Sequence, residues 1–242
     1  MLRGKTILVT GASGAIGSAI VRAAKRDGAW VAGTYLTHQP TPDACPADLL
    51  ERVDVTDRDA LTRWVAKALQ VILNKMPASI DGLVTAAGGL ADRTLAKMTD
   101  AEWDTVIASH LTGTANAVRA VLPSMQYQRA GKILTVVSMA GLHGRVGQAN
   151  YSAAKAGILG FMKSAALELG PWGIEVNALC PGFTPSRMTE TVPPEGWERA
   201  RSASALGTLA DAEVAADLVV WLLSDRCRGV TGQIFHVDSR IK

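Results

Sequence analysis

The sequence predicts a doubly wound α/β architecture, a single parallel β-sheet with helices on both faces. Three observations lead there. Short β-branched and apolar runs alternate along the chain with longer segments whose apolar residues recur at helical spacing. The strand-like runs are apolar nearly throughout instead of alternating with polar residues, as expected where both faces of a sheet are buried. No repeat, low-complexity tract or linker-like stretch interrupts the pattern, so the 242 residues read as one domain.

Thr6–Thr10 is the first strand, halted by Gly11, and a small-residue helix follows over residues 15–27. Trp30–Tyr35 reads as the second strand and residues 51–55 as the third, with a Pro- and Thr-rich loop between them. Residues 56–74 place Leu61, Trp64, Val65, Ala68, Leu69 and Ile72 on one helical stripe. A buried strand over residues 80–86 precedes a helix opened by Thr99, Asp100 and Glu102 ahead of Trp103, Val106 and Ile107. The pattern then continues with a helix around 111–128, a strand at 132–138, a helix at 150–170 and a strand at 174–179. The stretch from 183 to about 204 carries Pro185, Pro193 and Pro194 and reads as a lid with short helical pieces. A helix at 210–224 and a strand at 233–237 close the chain.

Composition narrows the function. Charged residues make up 19% and apolar residues 48%, and Lys+Arg 25 against Asp+Glu 22 leaves +3, spread along the chain. That balance supports neither a nucleic-acid partner nor a membrane surface. Cys45, Cys180 and Cys227 are odd in number and lack ligand spacing, so they read as free thiols in a reducing compartment, with no metal site. The apolar run at the N-terminus is too short for a secretory core, and no stretch is apolar enough to span a bilayer; a cytoplasmic protein is expected.

Chemistry concentrates in three places. Thr10-Gly-Ala-Ser-Gly-Ala-Ile-Gly17 lies between the first strand and the first helix. Gly11 permits a tight exit from the strand, and Gly14 and Gly17 let backbone and helix approach a pyrophosphate, which the helix N-terminus would bind. Gly11, Ser13, Gly14, Ile16 and Gly17 are therefore candidate dinucleotide-binding residues. The end of the second strand, Gly33-Thr-Tyr-Leu-Thr-His38, lacks the acid that would hold a ribose diol, and the next acid is Asp43. Its absence permits NADP, with Thr37 and His38 as candidate phosphate partners or plain loop residues; NAD stays compatible.

Tyr151 and Lys155 lie four apart near the start of a helix and so share a face. A neighbouring ammonium brings a phenol toward the working range of a proton donor, and Ser138 ends the strand before it. An ordinary surface pair is the alternative.

With Asp54-Val-Thr-Asp57, Gly88 after an apolar strand and Pro181-Gly182, these motifs occur in one order along the whole chain. The chain thereby resembles the short-chain dehydrogenase/reductase family, whose fold is of the Rossmann type. The resemblance implies an NAD(P)-dependent reaction between a ketone and an alcohol. Tyr151 would protonate the carbonyl oxygen, Lys155 would lower the tyrosine pKa and bind the nicotinamide ribose, and Ser138 would orient the substrate oxygen. Asp54 and Val55 would meet the adenine, while Ala87 and Gly88 would let the chain pass close to the cofactor. Pro181, Gly182, Thr184 and Ser186 would orient the carboxamide.

Departures from the family pattern are equally specific. Thr85-Ala-Ala-Gly88 replaces an asparagine-bearing string, and Gly14 stands where NADP-preferring members often carry a base. His110 replaces an asparagine of the proton relay; it is a candidate relay itself or else a packed polar residue. His143 is expected near the substrate entrance. The strings around Gly147–Lys155 and Val230–Asp238 are similar to those of 3-oxoacyl-thioester reductases, which implies Gln148 and Phe183 at the substrate. In that branch basic residues near the site mouth dock an acyl carrier protein; Arg129 matches one position and Trp172 replaces the other. The resemblance implies a homotetramer, and Ala153, Ala156, Gly157 and Gly160 would allow close helix packing between subunits. The expected activity is NADPH-dependent reduction of a 3-oxoacyl thioester on acyl carrier protein or CoA. A secondary-alcohol dehydrogenase and a non-catalytic dinucleotide sensor are the alternatives.

Overall fold

The structure is a computed structural model that describes residues 1–75 and 77–240. Seven strands form one sheet: β1 (Thr6–Thr10), β2 (Trp30–Tyr35), β3 (Leu49–Arg52), β4 (Gly82–Thr85), β5 (Gly131–Val136), β6 (Ile174–Pro181) and β7 (Ile234–Val237). Their order is β3-β2-β1-β4-β5-β6-β7, and every pairing is parallel. The helices are α1 (Ala15–Arg26), α2 (Arg58–Leu73), α3 (Asp100–Ile107), α4 (Gly113–Gln128), α5 (Ala140–His143), α6 (Ala149–Leu169), α7 (Pro194–Ser202) and α8 (Ala212–Leu223).

The continuous apolar character of the strands has a direct cause. Successive side chains of a strand point to opposite faces, and here both faces are covered. Leu8 of β1 packs with α2, α4 and α6, among Leu61, Val118 and Ile158. Its neighbours Ile7 and Val9 pack with α1 and α8, among Ile20 and Val219. The same alternation separates Leu83 from Val84 and Ile133 from Leu134.

Element ends follow local chemistry. Thr99 and Glu102 form a reciprocal cap at the start of α3, as the sequence predicts, and the Asp57 carboxylate caps α2 through Ala60 N. β3 falls earlier than residues 51–55: the Asp54 carboxylate turns the chain by accepting from the Thr56 N–H at 2.9 Å and the Thr56 hydroxyl at 2.8 Å. β4 is shorter than expected because Ile80 is held by the Gln128 side chain through both its N–H and its carbonyl. Between α3 and α4 the helix widens into a π-turn over Ala108–Thr112, centred on His110. Among the described residues no helix is long and apolar enough to cross a membrane.

The strand order reverses beside β1, whose neighbours are β2 and β4. Ligands of open α/β sheets bind at such a point, over the C-terminal strand ends. A cleft of about 820 Å³ opens there.

Candidate active site

The first wall of the cleft is the turn from β1 into α1. Gly11 has φ +69°, and a Cβ on it would lie 2.6 Å from Ala87 Cα. A Cβ on Gly17 would lie 2.2 Å from the Gly11 carbonyl oxygen, so only glycine lets the helix close on the turn. Thr34 pins the turn, its hydroxyl accepting from Gly11 N at 3.3 Å and its carbonyl from Ala12 N at 2.7 Å. Gly14 begins α1 without a side-chain cap, and the first turn of the helix carries no acid. The first amides are therefore left to an anion, and Ser13, Gly14, Ile16 and Gly17 all line the cleft. The residues fit the pyrophosphate of a dinucleotide.

At the end of β2, Thr37 lines the cleft and His38 does not; the imidazole lies outside, its Nδ1 2.8 Å from the Thr37 hydroxyl. Asp54 and Val55 line the same end, where Asn116 Nδ2 donates to the Val55 and Thr56 carbonyls at 3.2 Å. Ala87 and Gly88 lie between the two halves of the cleft.

Ser138, Tyr151 and Lys155 share the central wall. Ser138 lies two residues beyond β5, and its hydroxyl accepts from Ala140 N at 3.2 Å, starting the short α5. Tyr151 is placed by its neighbour. Asn150 is fully buried, and its Nδ2 donates to the carbonyls of Ala91 at 3.0 Å and Glu102 at 3.1 Å. Its Oδ1 accepts from Tyr151 N at 2.8 Å. The first turn of α6 is thus tied to α3 and to the loop after β4.

Lys155 is buried and donates to the Val136 carbonyl at 2.7 Å, with Nζ 5.6 Å from the Tyr151 ring centroid. The expected depression of the tyrosine pKa by this lysine is not what the structure gives. Burial pushes the Tyr151 phenol up, opposed by the Ser138 hydroxyl and the more distant Arg145 charge. Burial also pushes Lys155 itself down to about 8.

His110 projects from the π-turn, 2% exposed, its ring edge-on to Tyr151 at 5.1 Å between centroids. Nε2 lies 2.8 Å from the Gly89 carbonyl, which can only accept, so Nε2 carries the proton. Nδ1 is buried without a partner among the described residues. Burial, with Lys155 nearby, pushes the imidazole down to about 3. A ring held neutral in this way does not cycle through imidazolium near neutral pH. It also explains Gly88: with φ +148°, a Cβ there would lie 2.0 Å from His110 Cε1.

The substrate end brings together Gln148, Phe183 and residues of the lid. Gln148 is buried, and its Nε2 donates to Asp92 at 2.7 Å. Phe183 packs on Trp197 at 4.7 Å between ring centroids. Pro181, Gly182, Thr184 and Ser186 line the cleft as β6 runs out, with the Thr184 hydroxyl donating to the Gly182 carbonyl at 3.0 Å. The lid is more helical than its prolines suggest: α7 starts at Pro194, where a proline fits the first helical turn.

Two expected positions fall elsewhere. His143 is exposed at the end of α5 and does not line the cleft. Arg129 ends α4 just before β5 begins, at the strand N-termini and so at the opposite edge of the sheet from the cleft. Its guanidinium donates to the Pro171 carbonyl at 2.9 Å and lies 5.4 Å from the Trp172 ring centroid. Sequence reasoning, conversely, did not bring Asn116, Arg145, Arg187, Arg199 or Arg240 to the site. Asn150 was legible only as part of a motif.

A family model described as Enoyl-(Acyl carrier protein) reductase matches residues 11–239. The chain is 36% identical to the 3-oxoacyl-[acyl-carrier-protein] reductase FabG of Thermotoga maritima, over 98% of this chain and 97% of that one. It is 35% identical to nodulation protein G of Rhizobium sp. (strain N33), over 98% and 96%. The crystal structure of gox2181 superposes with a TM-score of 0.89 at 28% identity, covering 98% of this chain and 95% of the other. A Rossmann sheet, a glycine turn that fits a dinucleotide and matches of this extent lead to one conclusion: the chain belongs to the short-chain dehydrogenase/reductase family and is an NAD(P)-dependent oxidoreductase.

Proposed function

We propose that the protein reduces a 3-oxoacyl thioester, carried by acyl carrier protein or CoA, to the 3-hydroxyacyl thioester with NADPH. The observation that carries this reading is the convergence of Ser138, Tyr151 and Lys155 on one wall of a cleft whose floor is the glycine turn. Gly11, Ser13, Gly14, Ile16 and Gly17 would hold the pyrophosphate, and Asp54 and Val55 the adenine. Ala87 and Gly88 would flank the cofactor, and Pro181, Gly182, Thr184 and Ser186 the carboxamide. The bound nicotinamide would supply the hydride.

The remaining chemistry belongs to the chain. The Ser138 hydroxyl orients the ketone oxygen beside the Tyr151 phenol, which donates its proton to that oxygen. Held up by burial, the phenol keeps its proton at neutral pH until the oxygen that gains charge on reduction takes it. Lys155 would compensate the phenolate left behind and bind the nicotinamide ribose. His110 acts by position: packed edge-on against Tyr151, it fixes the ring while Nε2 anchors the loop at Gly89. Gln148, locked to Asp92, shapes the pocket with Phe183.

The absence of a carboxylate at the end of β2 supports NADP over NAD, with Thr37 on the cleft as a partner for the 2′-phosphate. Curated relatives named as 3-oxoacyl reductases support the substrate class. The exposed surface of α6 at Ala156 and Gly160 supports a homotetramer built on that helix. The test is oxidation of NADPH and NADH with acetoacetyl-CoA. Turnover with a higher kcat/KM for NADPH is expected. Preference for NADH would remove the cofactor assignment, and absence of turnover with either would remove the substrate assignment.

A further inference from the structure

The substrate end of the cleft carries a charge imbalance that the catalytic residues do not explain. Arg145, Arg199 and Arg240 line it, Arg187 lines the cleft beside Ser13 of the glycine turn, and Asp54, at the adenine end, is the one carboxylate among the described lining residues. Two of these cations are engaged. Arg240 pairs with Asp238, and Arg187 donates to the Ser13 carbonyl at 3.2 Å. Arg145 and Arg199 have no ion pair or hydrogen bond among the described residues, and both are exposed.

Unpaired arginines are ordinary on a protein surface; convergence on one cleft is not. Arg145 comes from the loop between α5 and α6 and Arg199 from α7. Phe183, which also lines the cleft, packs on Trp197 of α7. The Arg145 guanidinium stands 5.7 Å from the Phe183 ring centroid, a contact that holds its plane with little loss of hydration. Two carboxylates of the neighbouring loops are already occupied, Asp92 by Gln148 and Asp238 by Arg240, and on α7 itself Glu198 pairs with Arg201. A guanidinium offers a planar pair of donors that matches a carboxylate or a phosphate.

We propose that Arg145 and Arg199 form an anion subsite at the substrate end of the cleft, which selects ketones bearing a carboxylate or phosphate. The inference rests on the ketoreductase reading and refines its substrate class. A phosphate would belong to the carrier arm of the thioester, a carboxylate to the far end of the acyl chain.

Three thioesters separate these sources: neutral acetoacetyl-N-acetylcysteamine, acetoacetyl-CoA with phosphates on the carrier, and 3-oxoadipyl-N-acetylcysteamine with a carboxylate on the acyl group. In Arg145→Gln and Arg199→Gln, kcat/KM for the recognised anionic substrate should fall about tenfold relative to the neutral one, through KM, and lose part of its salt dependence. A selective fall with the CoA thioester assigns the phosphate, and one with the oxoadipyl thioester assigns the carboxylate. Unchanged ratios for both anionic substrates would overturn the proposal. So would an equal rise in the NADPH Kd, which would give the arginines to the cofactor. If the wild-type protein reduces no thioester, the reduction reading fails by itself, and calorimetry with 3-oxoadipate and with CoA on the NADP⁺-loaded protein decides the subsite. Binding of either that weakens about tenfold in the double variant supports it, and identical heats for both in wild type and variant refute it.

Discussion

Because His110 is buried and neutral, the protein should lose stability on mild acidification in an amount that one substitution can isolate. The imidazole falls from its ordinary 6.5 to about 3 on folding. Above the upper value both folded and unfolded chains hold it neutral, and it contributes no pH dependence. Below 6.5 the unfolded chain takes up a proton that the folded chain refuses, so stability declines as pH falls until the lower value is reached. The slope approaches ~1.4 kcal/mol per pH unit, or about 2 kcal/mol between pH 6.5 and about pH 5. His110→Asn keeps a polar side chain and removes the titration. Urea unfolding of both proteins from about pH 7.5 to about pH 5 checks this, because all other groups titrate in both and cancel in the difference. The variant should gain about 2 kcal/mol relative to wild type across the acid limb. Parallel stability curves, or an imidazole NMR resonance titrating near its ordinary value in the folded protein, would refute the reasoning.

Two further outcomes follow from the site. Tyr151→Phe removes one hydroxyl and leaves the ring against His110, so turnover should fall by about 10²–10⁴-fold while the NADPH Kd changes little; comparable turnover in the two proteins would sink the assignment of Tyr151 as acid. Gly17→Ala places a Cβ 2.2 Å from a backbone oxygen that cannot rotate away. It should cost about 1–3 kcal/mol in urea unfolding and weaken NADPH about tenfold by fluorescence titration; an unmoved midpoint with unchanged affinity would show that the turn has slack.

The sheet was legible because its causes are local. β1 and β2 fall where the sequence places them, since a β-branched run between helix-length segments has one sensible reading. The cap of α3 was legible for the same reason, a side chain reaching a few residues along the chain, whereas the Asp57 cap of α2 was not read. Glycine spacing revealed the turn at Gly11 and Gly17 but not its tightness, which depends on the approach of Ala86 and Ala87 from β4. His110 shows the limit more sharply. Its charge state follows from burial, a carbonyl at Gly89 and a lysine on α6, and none of these is near it in sequence.

The arginines of the substrate end mark where pattern reading stops and topology takes over. Arg145, Arg187, Arg199 and Arg240 have no common spacing, and each alone reads as a solvated surface charge. They meet because β6 delivers the lid over the strand ends and the chain beyond β7 returns beneath it. The Ser204–Arg240 bridge closes that return, helped by the Ser204 and Ser239 hydroxyls at 2.5 Å and by Ala205 N donating to the Ser239 carbonyl at 2.8 Å. The same topology carries Arg129 to the opposite edge of the sheet, where motif matching alone had set it beside the cleft. Ser138 follows β5, and Tyr151 and Lys155 sit on α6, two elements packed into the core. The cations proposed to choose the substrate, Arg145 and Arg199, sit on the loop between α5 and α6 and on the lid. In this fold, reaction type is therefore written in segments that sequence pattern can place, and substrate choice in segments whose positions only the folded chain defines.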